Sequence, residues 1–202
     1  AVRLADGRTM VAGGEEDDGG QVFASVEALA ADGSGWSALA PMLTARFSPS
    51  IGLLRSGHVI VAGGATGPGD SDITAAAELW DPATNTWSAL PPMAHARYQA
   101  AGCVLPSGRF VVLGGYGTDN IPRKDGEVFD PVRRVWEPLP ADMKHGRVDF
   151  GAEAVAGGLV VSGGGGDESH APELYDEESS HWFTLPHQRD APRRGPTVLL
   201  PC

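Results

Sequence analysis

The chain has 202 residues, and 15 Lys and Arg stand against 26 Asp and Glu, a formal net charge of −11. So acidic a chain lacks the basic stripe that nucleic acid requires, and no apolar run approaches the roughly 18 residues of a membrane span, so neither partner is expected. Hydrophobic residues reach 42%, enough for a buried core, while the two cysteines, Cys103 and Cys202, are too few for a disulfide framework or a cysteine zinc site.

In chain order, AVRL (1–4) matches Ile51–Leu54 and reads as the end of a first strand. The second unit then shows all four strands: SPSIGLL (48–54), HVIVAGG (58–64), TAAAELW (74–80) and TWSAL (86–90). Ser56-Gly57 and Asp81-Pro82 supply the turn chemistry between them. GCVL, RFVVLGG, GEVFD and VWEPL repeat the scheme in the third unit. GPTVLLP (195–201) reads as one more first strand. No stretch shows convincing helical periodicity.

Self-comparison organises these strands into four repeats, approximately 1–46, 47–97, 98–147 and 148–202. Gly-Gly pairs end the second strands at Gly13-Gly14, Gly63-Gly64, Gly114-Gly115 and Gly163-Gly164. Trp36, Trp87, Trp136 and Trp182 mark the fourth strands, each nine residues after a glutamate: Glu27, Glu78, Glu127 and Glu173. Trp80, Phe129 and Tyr175 stand seven residues before the last three tryptophans, each followed by Asp; the first unit has Leu29 and Ala30 instead. Arg46, Arg97, Arg147 and one of Arg193 or Arg194 open successive units.

A four-stranded sheet of this size cannot bury both faces alone, and packing such sheets around an axis does so. The expected fold is therefore all-β: a propeller of four blades with four antiparallel strands each. It is either an arc of a larger propeller or a small ring whose C-terminal strand completes the first blade. The tryptophans are expected to wedge between blades, and the recurring Glu and Arg to form a satisfied structural pair.

The apolar run ending in Gly-Gly, the Glu-x-aromatic-Asp step and the aromatic seven residues before Trp resemble the kelch repeat. LLRSGHVIVAGG (53–64) and AAELWDPATNTWSALPPMAHAR (76–97) show it most clearly. The resemblance implies a kelch-type β-propeller that serves as a protein-interaction module. Similar regions act as scaffolds or as substrate-recognition parts of ubiquitin-ligase adaptors. It also implies an alternative, a carbohydrate-acting enzyme like galactose oxidase or the sialic-acid epimerases.

Strand parity places the loops after strands two and four at one end of the propeller. The loops after the glycine pairs differ in every unit, and varied loops on a regular scaffold are where recognition resides. They bring Glu15, Glu16, Asp17, Asp18, Asp70, Asp72, Asp119, Asp167 and Glu168 to one rim, with Arg123 and Lys124 as exceptions and Tyr116 and His170 beside them. Such a rim would attract a basic protein or peptide, or merely keep the protein solvated. No metal spacing such as HExxH, no Gly-x-Ser-x-Gly elbow and no Lys after the glycines at 163–166 occurs, so no cofactor, metal or catalytic residue is expected. Tyr98 and Cys103, five residues apart on one strand, should face opposite sides and so cannot form the crosslink of a galactose-oxidase-like centre. Low cysteine content and the absence of a signal pattern point to the cytoplasm.

Overall fold

The computed structural model describes residues 1–16, 20–67, 72–165 and 171–186. Sixteen strands form four antiparallel sheets of four, each sheet taking its strands in chain order. Blade 1 comprises β1 (Val2–Arg3), β2 (Thr9–Glu15), β3 (Val22–Leu29) and β4 (Trp36–Leu39). Blade 2 comprises β5 (Ser50–Leu53), β6 (Val59–Ala62), β7 (Ala77–Asp81) and β8 (Thr86–Leu90). Blade 3 comprises β9 (Ala101–Val104), β10 (Phe110–Leu113), β11 (Gly126–Asp130) and β12 (Val135–Pro138). Blade 4 comprises β13 (Val148–Val155), β14 (Gly158–Gly165), β15 (Glu173–Asp176) and β16 (His181–Thr184). No helix occurs among the described residues.

The second strands show why the blades stack. VIVA in β6 is buried at all four positions, as is FVVL in β10. Alternate side chains of a strand point to opposite faces. Val59 and Val61 therefore join Met10, Val26, Trp80 and Trp87 between blades 1 and 2. Ile60 and Ala62 join Phe110, Val112 and Phe129 between blades 2 and 3. Val111 and Leu113 pack with Leu159, Val161 and Tyr175 between blades 3 and 4. Among the described residues no such cluster joins blade 4 to blade 1. The stretch 195–201, read from sequence as a further first strand, lies outside the described residues.

The glycine pairs bend the chain where the second strand leaves the sheet. Gly63 and Gly114 have φ of 70° and 61°, in the left-handed region. A Cβ on either would run into the carbonyl oxygen of Arg97 or Arg147. In blades 2 and 3 the strand ends just before the pair, as the sequence suggests, whereas β2 and β14 run on through it. The Asp markers close the turn before each fourth strand: Asp81, Asp130 and Asp176 carboxylates accept from Ala83, Val132 and Ser179 N–H at 2.8 Å. Blade 1, with Ala30 at that place, turns through Asp32 and Gly33 instead.

The recurring Arg and Glu do pair, in three blades. Arg46–Glu78, Arg97–Glu127 and Arg147–Glu173 lie at 2.6, 3.0 and 2.8 Å with both partners buried. Each glutamate also accepts backbone N–H groups from the segment that enters its blade: Leu43 and Thr44, Ala94 and His95, and Lys144. Three tryptophans clasp the same segments: the Trp87, Trp136 and Trp182 indole N–H groups donate to the Ala40, Pro91 and Ala141 carbonyls.

The expectation of four tryptophan wedges needs correction. Trp87 is 8% exposed and lies in the core between blades 1 and 2, and Trp136 and Trp182 are half-buried against the next two clusters. Trp36 is 55% exposed, and Glu27 is exposed as well. Both point away from blade 2, where no preceding blade covers them among the described residues. Trp87→Ala should therefore lower stability by about 3–5 kcal/mol. Trp36→Ala should stay within about 0.5 kcal/mol in dilute protein. Denaturant melts of the two variants check the contrast.

Candidate functional site

The loops after the second strands and the connections between blades emerge at the same end, and backbone hydrogen bonds tie them together. Gly14, Gly64 and Gly115 N–H groups donate to the carbonyls of Arg46, Arg97 and Arg147. Beyond each arginine the chain turns inward through a residue of positive φ: Ser48 (47°), Gln99 (53°) and Asp149 (50°). These three follow one another from blade to blade, with Gln99 N–H donating to Ser48 O and Asp149 N–H to Gln99 O. They form the inner lip of the face. Burial raises the pKa of the Asp149 carboxyl there.

Outside this lip lies an aromatic row that sequence reading missed apart from Tyr116. Phe47 and Tyr98 meet edge to face with centroids 6.3 Å apart, and Tyr98 and Tyr116 lie 5.6 Å apart. Single bridges pin the row to its loops: Phe47 to Ala65 in blade 2, and Tyr98 to Tyr116 in blade 3. The available signal was positional, because an aromatic follows the marker arginine in Arg46-Phe47 and Arg97-Tyr98 but not in Arg147-Val148.

The acidic candidates divide. Glu15, Glu16 and Asp119 are exposed at this end, Glu16 accepting from Gln21 N–H at 3.3 Å and Asp119 from Ile121 N–H at 3.2 Å. Asp72 is half-buried, and its carbonyl receives the Thr66 N–H and hydroxyl, which folds the blade 2 loop on itself. Asp17, Asp18, Asp70, Asp167, Glu168 and His170 lie outside the described residues.

The two cations expected on the rim are both engaged. Lys124 pairs with Asp142 at 3.5 Å, and Arg123 forks onto Asp125 at 2.8 and 3.0 Å. Asp125 was not singled out from sequence, yet it links the rim to the buried frame, because Arg97 also reaches it at 3.1 Å. Burial works against its charged form, but hydrogen bonds from Arg123 and the charge of Arg97 outweigh it and hold the carboxyl down at about 2.

A cavity of about 700 Å³ opens on the flank between blades 2 and 3, lined by Pro91, Pro92, His95, Trp136, Leu139 and Asp142 among others. Its acidic lining is already paired: Glu127 and Asp125 with Arg97, and Asp142 with Lys124. It thus offers apolar surface rather than free acid–base groups. Cys103 and Tyr98, the pair considered for a crosslink, stand in different surroundings. Cys103 is buried between blades 3 and 4, where burial and the charge of Glu153 push its thiol up to about 12, while Tyr98 stacks in the rim.

Four four-stranded blades with unequal loops at one end define a repeat-built β-propeller region. A family model described as the Kelch motif matches residues 56–94. An F-box/kelch-repeat protein of Arabidopsis thaliana is 32% identical over 136 residues, 66% of this chain and 33% of the relative. A second from the same plant is 34% identical over 102 residues, 49% of this chain and 24% of that protein. A galactose oxidase of Gibberella zeae is 30% identical over 94 residues, 46% of this chain and 13% of that enzyme. The chain is thus built from kelch-type repeats: the matched motif lies in blade 2, and its glycine pair, glutamate and tryptophan recur in the other three blades. It spans about a third or less of the length of these relatives.

The Asp125 linkage has a definite sign. A carboxyl held below its ordinary value of 3.8 contributes stability in full above about pH 4 and loses it as the pH falls towards 2. The stability gap between the unsubstituted chain and Asp125→Asn should therefore be constant above about pH 4 and shrink below it. Urea melts across that range measure the gap.

Proposed function

We propose that the chain is a recognition module that works by binding rather than by catalysis, taking a basic protein or peptide segment on the face where the second-strand loops emerge. The observation that carries this reading is the contrast between repeated frame and unrepeated tips. Arg–Glu pairs, glycine bends and tryptophan clasps recur from blade to blade, whereas the loops above them share neither length nor sequence. An aromatic row of Phe47, Tyr98 and Tyr116 supplies contact surface of low conformational cost on that face. Exposed Glu15, Glu16 and Asp119 give it a negative sign, and the cations beside it are neutralised by Asp125 and Asp142.

The F-box/kelch-repeat relatives favour one form of this role, substrate recognition within a ubiquitin-ligase adaptor in the cytoplasm. The galactose oxidase match supports a second reading, a carbohydrate-acting enzyme. The separate surroundings of Tyr98 and Cys103 speak against that reading.

The test uses a fluorescent Lys/Arg-rich peptide as the probe, titrated into the chain at several salt concentrations. Binding should weaken as salt rises, by about tenfold in the triple variant Glu15→Gln, Glu16→Gln, Asp119→Gln, and again in Tyr98→Ala at unchanged melting temperature. Binding that ignores both salt and these substitutions would remove the proposal. Oxidation of galactose by the copper-loaded chain would transfer support to the second reading.

A further inference from the structure

The segments that enter blades 2, 3 and 4 share one position, where a backbone N–H donates to the buried glutamate of the blade ahead. These are Leu43 to Glu78, Ala94 to Glu127 and Lys144 to Glu173. A large side chain stands there before blades 2 and 4, and only a methyl group before blade 3. At that junction the flank is open: the cavity of about 700 Å³ is lined by Ala94, Pro91, Pro92, Leu139 and the indole of Trp136. Phe129 and Phe110 hold the Trp136 ring from within blade 3, with centroids 5.2 and 6.3 Å away. Its N–H is already engaged by the Pro91 carbonyl, so the ring offers the cavity aromatic surface and no free donor. Apolar walls with a few fixed polar groups, around a volume of this size, suit a small molecule.

Charge selects the kind of molecule. Asp125, Glu127 and Asp142 line the cavity together with His95, and no Lys or Arg does. Arg97 and Arg123, which balance the first two carboxylates, stand outside the lining. Glu127 is buried and committed to Arg97 and to two backbone N–H groups. Asp142 is held less firmly: it pairs with Lys124 at 3.5 Å, with the two side chains 45% and 59% exposed. A pair so open to water contributes little, so a ligand cation can replace Lys124 on Asp142 at small cost. The face of an indole ring also attracts cations, more strongly than that of Tyr or Phe. We propose that this cavity binds a small organic ammonium ion, its aryl or alkyl body against Trp136, Pro92 and Leu139 and its ammonium on Asp142. An anion of the same shape meets the carboxylates of the wall, and a neutral analogue gains burial alone. The site uses neither the aromatic row nor the rim acids Glu15, Glu16 and Asp119, so it stands or falls separately from the recognition face proposed above.

Titration of the full chain with 2-phenylethylammonium, 2-phenylethanol and 3-phenylpropionate, which share a ring and differ in charge, tests this. The readout is the NMR resonance of the Trp136 indole N–H, identified by its absence from Trp136→Phe. The ammonium should shift it saturably, the alcohol should bind about tenfold more weakly, and the propionate should not bind. Asp142→Asn should bring the ammonium down to the affinity of the alcohol and leave the alcohol unchanged. Ala94→Leu, which installs at the cavity wall the residue that Leu43 already places before blade 2, should weaken both compounds at least fivefold. Both variants should melt with the unsubstituted chain, because Ala94 and Asp142 are exposed. The proposal is overturned if the three compounds bind alike, if none moves the Trp136 resonance, or if the ammonium binds either variant as tightly as the unsubstituted chain.

Discussion

The arginines that enter blades 2, 3 and 4 are the groups on which the stacking of the blades depends. Each guanidinium is fully buried, and it sits where the backbone can satisfy itself least well. Arg46 Nη1 donates to the Gly63 and Ala76 carbonyls at 2.7 and 2.9 Å, while Nη2 reaches Glu78 at 2.6 Å. Arg97 and Arg147 repeat the arrangement on Gly114 and Gly163. The glycine bend turns a carbonyl out of the ladder, and a buried carbonyl left without a donor costs free energy. Arginine supplies several donors on one rigid fork, which is why lysine would not serve there. The glutamate is then needed to balance the charge, and its spare lone pairs collect the N–H groups of the connecting segment. Taking two charges out of water is expensive, so the pair is better understood as fixing one geometry than as a large source of stability.

From that junction the division of labour follows. The clasp acts on the segment between blades and on the exit from the second strand. A loop can change length above Gly63-Gly64 without moving Arg46 or Glu78. Recognition and folding are therefore carried by different residues a few positions apart. The aromatic row is the exception, because Phe47 and Tyr98 directly follow the clasping arginines and inherit their fixed positions. A binding surface anchored this way is preorganised at its inner edge.

The architecture was legible because the same physical problem recurs four times. Strands such as VIVA and FVVL are apolar at every position, which only a sheet covered on both faces tolerates. Asp81 and Asp130 announced their turns, and TWSAL and GEVFD became strands at the residues read from the sequence. What the repeat could not show was where a copy lacks a neighbour. Trp36 and Trp87 look alike as letters, yet one is open and the other buried, since burial belongs to the junction rather than to the blade. The partners of the glutamates were equally hidden, because Arg97 and Glu127 lie 30 residues apart in sequence. Asp125 escaped notice because it matters only through Arg97 and Arg123, which reach it from different directions.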